Sequence, residues 1–145
     1  MSSNLITGVF NVDLGFPCTV DSPTVNSGAI GRVYAYNANR VQVHCLTASG
    51  SAKSFSDVTS WRAGYGLLGV GSAFVNVVNA NISVSGALVT VLMPTTSATL
   101  MADLSTSSNK TYYLEIQGDK SDGIGWQTVL VWRIDCYNTM FHPAP

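Results

Sequence analysis

The segment Asp119-Lys120-Ser121-Asp122-Gly123 comes nearest to a cation site in residue type. A calcium loop needs oxygen ligands at alternate positions, a glycine at the sharp turn and a distal glutamate. Here Lys120 and Ser121 separate the two aspartates and no glutamate follows, so the segment is expected to be a surface hairpin turn. The histidines, His44 and His142, have no recognisable nucleophile partner. His44 alternates with core positions of a strand and reads as a hydrogen-bonded sheet histidine. Glu115 is the only glutamate and stands mid-strand. The aspartates are Asp13, Asp21, Asp57, Asp103, Asp119, Asp122 and Asp135. Two of these carboxylates could meet from distant strands, but no spacing marks such a pair. The expectation is therefore no catalytic residue, no metal site, no cofactor and no enzymatic activity.

Cys18, Cys45 and Cys136 share no metal-ligand spacing such as C-x-x-C. Cys45 and Cys136 each fall in an alternating strand. They read either as buried thiols acting as small hydrophobes or as one disulfide pinning two strands. The first 16 residues carry no Lys or Arg and do not resemble a secretion signal. Synthesis in a reducing compartment would favour free thiols. Without that signal the sequons Asn81-Ile82-Ser83 and Asn109-Lys110-Thr111 carry no weight.

With 145 residues the chain is long enough for one domain with a real core. Hydrophobic residues are 46% and charged residues only 10%, against roughly 25% charged in an ordinary domain. So little charge reads either as a surface partly covered by a partner or by copies of itself, or as a monomer solubilised by its abundant Ser, Thr and Asn. The net charge is −1 and the seven cationic residues are scattered, which gives no footprint for nucleic acid. No run approaches the roughly 20 apolar residues of a membrane span.

Alternation and turn residues organise the chain. Residues 1–30 read as edge strands or as an N-terminal arm, with Leu5 to Phe10 and Phe16 to Val20 as the short strands. Turn signals stand at Asp21-Ser22-Pro23 and Asn26-Ser27-Gly28. The sandwich domain is assigned to 31–138 and a stiff tail to 139–145. Strands are expected over Arg32 to Tyr36, Arg40 to Thr47, Phe55 to Arg62, Ala73 to Val78, Ile82 to Ser85 and Ala87 to Met93. In the second of these Val41, Val43 and Cys45 share one face. Gly64, Gly66, Gly69 and Gly71 mark a flexible loop. Pro94 ends a strand, and Ala98 to Leu104 has helical spacing after the capping residues Thr95 to Ser97. Tyr112 to Gln117 and the long Trp126 to Tyr137 close the domain. On the last strand Leu130, Trp132, Ile134 and Cys136 form the core face, with Val129, Val131, Arg133 and Asp135 on the other. Short strands at this spacing predict an all-β, antiparallel β-sandwich with one short helix.

This order resembles a small immunoglobulin-like domain of tailed-phage structural proteins. It is similar to the N-terminal domain of baseplate upper proteins and to tail-fibre domains. The resemblance rests on Leu88-Val89-Thr90-Val91-Leu92 before a short Thr99-Leu100 segment. It continues through Tyr112-Tyr113-Leu114-Glu115-Ile116-Gln117, the turn Asp122-Gly123 and a closing strand, and covers roughly residues 33–137. The family's closing strand carries a glycine before its last residues, where Trp132-Arg133 stands here. The family domain usually heads a longer chain, whereas this sequence stops at Pro145, so the expected role is a stand-alone adaptor, decoration or tail-collar protein. The resemblance implies docking and oligomerisation within a virion assembled in the host cytoplasm, with other virion proteins as partners. The contact residues expected are Trp61, Arg62, Tyr65, Leu67, Leu68, Val129, Val131 and Arg133. The alternative is a receptor- or carbohydrate-binding module that stacks its ligand on Trp61 and Trp126.

Overall fold

The computed structural model describes residues 3–34, 38–66, 75–77, 81–93 and 109–137. The helix expected over 98–104, the tail 139–145, Leu67 and Leu68 lie outside the described residues. Among the described residues ten strands form two sheets, and the fold is an all-β sandwich. The strands are β1 (Ser3–Asn11), β2 (Phe16–Cys18), β3 (Gly31–Tyr34), β4 (Ala38–Leu46) and β5 (Val58–Gly66). They continue as β6 (Val75–Val77), β7 (Ile82–Ser85), β8 (Leu88–Met93), β9 (Asn109–Lys120) and β10 (Trp126–Tyr137). One sheet has the order β2-β1-β4-β8-β7 and the other β3-β10-β9-β5-β6. The run β4-β8-β7 against β10-β9-β5-β6 has the strand adjacency of an immunoglobulin-like sandwich. Its N-terminal part departs from simple antiparallel pairing, because β1 runs parallel to β4 and β3 runs parallel to β10.

Alternation builds the core. Val41, Val43 and Cys45 of β4 face Leu114 and Ile116 of β9 and Leu130, Trp132, Ile134 and Cys136 of β10 in one buried cluster. Val89, Val91 and Met93 of β8 complete it. The expected inner faces of β4 and β10 are both found. Residues 3–18 supply one internal strand and one edge strand. β1 lies between β2 and β4, with Phe10 in the core and Ile6 packed against it.

Two irregularities shift the phase of the alternation. Along β10, Thr128 pairs with Gln117 and Leu130 with Ile116, so Val129 is an extra, bulged residue. Along β5, Val58 pairs with Lys120 and Ser60 with Asp119, leaving Thr59 bulged. Both bulges flank Gly118, where a Cβ would lie 2.9 Å from Val58 Cγ1 and 3.6 Å from Val129 Cγ2. A side chain at 118 would collide with the valine that the β5 bulge turns inward.

The glycine-rich segment also begins differently from its expectation as loop. β5 runs through Gly66, and Gly64 and Gly66 are ladder residues opposite Glu115 and Tyr113. The long-range pairing with β9 holds them extended.

Candidate interaction surface

The outer face of the β10-β9-β5 sheet gathers several of the residues singled out in the sequence. Its composition follows from the registers. Arg62, Gln117 and Thr128 form one row across three strands, and Gly64, Glu115 and Val131 form the next. Tyr113 and Arg133 follow, then Thr111 and Asp135. Arg62 Nε donates to Gln117 Oε1 at 2.7 Å, and Gln117 Nε2 donates to Glu115 Oε2. Thr128 Oγ1 donates to the same carboxylate oxygen at 2.7 Å. Further along, Thr111 Oγ1 and Arg133 Nε both reach Asp135 Oδ1, at 3.1 and 3.3 Å. The polar groups of this face are therefore largely paired among themselves.

Two apolar groups stand out of this polar lattice. Val131 is 44% exposed and Trp126 is 37% exposed. The Arg62 guanidinium carbon lies 4.3 Å from the Trp126 ring centroid, a cation–π contact that holds the indole over the sheet. Arg133 is exposed beside Val131. Arg62, Trp126, Val131 and Arg133 thus share one surface.

Trp61, Tyr65 and Val129 do not share it, which corrects their expected exposure. Trp61 lies opposite Gly118, packs against the core and meets Phe55 edge-to-face with ring centroids 5.0 Å apart. Tyr65 is buried against Tyr112, centroids 5.6 Å apart. Val129 packs against the core. The two bulges explain Trp61 and Val129, because each moves the side-chain phase by one residue. Tyr65 is explained by the continuation of β5, which carries its alternation past Ala63. Trp61 and Trp126 consequently lie on opposite faces of the sheet and form no shared stacking platform.

A concavity of about 170 Å³ lies at the bulged end, lined by Asp13, Lys53, Asp57, Gly118, Lys120 and Gln127 among others. Its charges pair off: Lys53 Nζ is 2.8 Å from Asp13 Oδ1, and Lys120 Nζ is 3.6 Å from Asp57 Oδ2. The Lys53 hydrogen bond, helped by the Ala48 backbone N–H, holds the Asp13 carboxyl below its ordinary range. Sequence reading did not find this pair, since positions 13 and 53 carry no local signal of meeting.

The turn 121–125 is a hairpin connection between β9 and β10, and Asp119 and Lys120 belong to β9. Asp122 Oδ1 accepts from Ile124 N at 3.0 Å, and Gly123 and Gly125 take positive φ. No group of His, Cys, Asp and Glu able to hold a metal ion occurs among the described residues. Cys18, Cys45 and Cys136 are free and buried. Burial pushes the Cys45 and Cys136 thiols up to about 12. His44 lies half-buried on the outer face of the other sheet, paired with Val9 and Leu88. Among the described residues no helix is long and apolar enough to cross a membrane.

No protein-family model matches this chain, and no curated protein matches it. Among solved structures it is similar to the N-terminal domain of phage TP901-1 ORF48, with a TM-score of 0.47 and 13% identity. The similarity covers 95% of this chain and 98% of that one.

Proposed function

We propose that this chain is a non-enzymatic structural component of a tailed-phage or prophage virion, acting by docking and by oligomerisation. The observation that carries the docking role is the outer face of β10-β9-β5. There Trp126 and Val131 protrude from a lattice whose polar groups are hydrogen-bonded to one another. Covering such a face leaves these polar groups with hydrogen-bond partners, which lowers the cost of removing them from water. Exposed aromatic and aliphatic anchors ringed by polar groups are the anatomy of a protein interface. The virion setting rests on the sequence resemblance of residues 33–137 to phage immunoglobulin-like domains. The low charge of the whole chain suits a surface partly covered in an assembly.

The test is the solution mass by light scattering over a dilution series, repeated with Val131→Asp and Trp126→Ala. A defined oligomer that weakens in either variant supports the reading. Wild-type protein that is monomeric at every concentration, and that binds no virion protein in a reconstituted mixture, removes it.

A further inference from the structure

Each sheet of the sandwich ends in edge strands, whose outward N–H and C=O groups can pair with another chain. Natural sheets blunt such edges with proline, charge, bulges or brevity. Among the described residues the edges are β2, β7, β3 and β6. β2 spans three residues and contains Pro17. β3 carries the exposed Arg32, whose guanidinium lies 4.5 Å from the Tyr137 ring centroid. β6 is three residues long. β7 is short, at four residues, but has none of the other devices: Ile82-Ser83-Val84-Ser85 lacks proline and charge, and its register against β8 runs without a shift. The neutrality extends well beyond it, for no Asp, Glu, Lys or Arg occurs between Arg62 and Asp103.

The hairpin decides which backbone groups face outward. Gly86, with φ of 59°, and Ala87 form a two-residue loop, and Ser85 stands opposite Leu88. The pair flanking such a loop is hydrogen-bonded, and bonded and non-bonded pairs then alternate. Ser85 and Ser83 therefore bond to β8, while Ile82 and Val84 direct their N–H and C=O away from it. The side chains of Ile82 and Val84 lean on the core, and those of Ser83 and Ser85 are exposed. A groove of about 490 Å³ opens beside this edge, between Val84, Gly86 and Ala87 and the segment 52–56 with Phe55.

We propose that β7 pairs with β7 of a second copy of this chain, antiparallel, about a two-fold axis passing between the two Ser83 residues. The proposal rests on the reading of the chain as a self-assembling component and names a surface for it. In this register Ile82 exchanges both backbone bonds with the partner's Val84, and Val84 does the same with the partner's Ile82. The inward aliphatic side chains of both copies then continue one apolar row along the groove. A two-fold axis brings each residue near its own kind, so a charged edge would repel itself. The absence of charge on β7 is what makes the second copy, in preference to a charged peptide, the matching occupant.

The register gives a specific test. Ser83 would face the partner's Ser83 in a non-hydrogen-bonded pair, with Cα atoms about 4.5 Å apart, inside the range a disulfide spans. Ser83→Cys is expected to form a covalent dimer under mild oxidation with oxidised glutathione, and Ser85→Cys to remain uncrosslinked. The native thiols are buried, so background is low. Ser83→Lys and Ser83→Glu should each lower the oligomer mass, and their equimolar mixture should restore it. Both substitutions fall on an exposed side chain and leave the core untouched. The proposal is overturned if Ser83→Cys crosslinks no faster than Ser85→Cys, or if Ser83→Lys keeps the wild-type mass throughout dilution. If those results come with a wild-type oligomer that Val131→Asp dissociates, β7 pairing falls and the structural role stands. A wild-type monomer with no crosslink removes the self-assembly on which both depend.

Discussion

The Trp132 indole of β10 crosses the sandwich and lies on the backbone of Gly8 in β1. A Cβ at position 8 would come within 2.6 Å of Trp132 Cη2 and 3.0 Å of Cζ2. The indole Nε1 donates to Ala29 O at 2.8 Å, and the ring also borders Gly31 of β3. One side chain thus ties the first, third and last strands together. It can do so because glycine lets the β1 backbone approach the ring. Gly8→Ala should cost about 1–3 kcal/mol, the usual range for overpacking a core. Trp132→Ala should cost about 3–5 kcal/mol. Urea unfolding followed by far-UV circular dichroism checks both.

The bulge on β10 makes neighbouring valines unequal. Val129 packs against the core, while Val131 is exposed on the outer face. Val129→Asp must bring a carboxylate toward apolar surroundings and should destabilise the fold by about 1–3 kcal/mol. Val131→Asp should stay within about 0.5 kcal/mol in the isolated chain, as exposed substitutions do. Paired denaturation curves decide it. Equal effects would mean that the extra residue of the bulge is not Val129.

All three thiols should be silent in the native protein. Burial raises the Cys18 thiol and carries Cys45 and Cys136 to about 12. The reactive species is the thiolate. Titration with an aromatic disulfide reagent at about pH 8 should therefore find almost no reaction until denaturant is added. All three should then react. Fewer than three after unfolding would reveal a disulfide.

The Asp13–Lys53 pair should appear as a small acid-side loss of stability. The folded Asp13 carboxyl is held below its ordinary value, chiefly by the Lys53 hydrogen bond. A depressed carboxyl contributes stability above the unfolded value of about 3.9, and the contribution fades as pH falls through the folded value. Both side chains are about one-third exposed, so Asp13→Asn should cost only about 0.2–1 kcal/mol at neutral pH. The difference from wild type should vanish well below the carboxylate range. Unfolding curves at both pH values measure it.

Residue order alone determined the strands and much of the core. Val41, Val43 and Cys45, and Leu130 to Cys136, alternate strictly, and the structure buries both sets. Turn chemistry at 121–123 and 48–51 was equally local. Arg62, Trp126, Val131 and Arg133 could be picked as surface candidates because their strands and residue types were legible. Tertiary structure decided the rest. A bulge arises where one strand must accommodate its neighbour, so the inward turn of Val129 and Trp61 depends on β9 and Gly118 rather than on their own segments. The parallel pairing of β1 with β4 and the meeting of Asp13 with Lys53 join positions far apart in the chain. Alternation specifies which side chains share a face, but only strand pairing specifies which face each strand presents to the core.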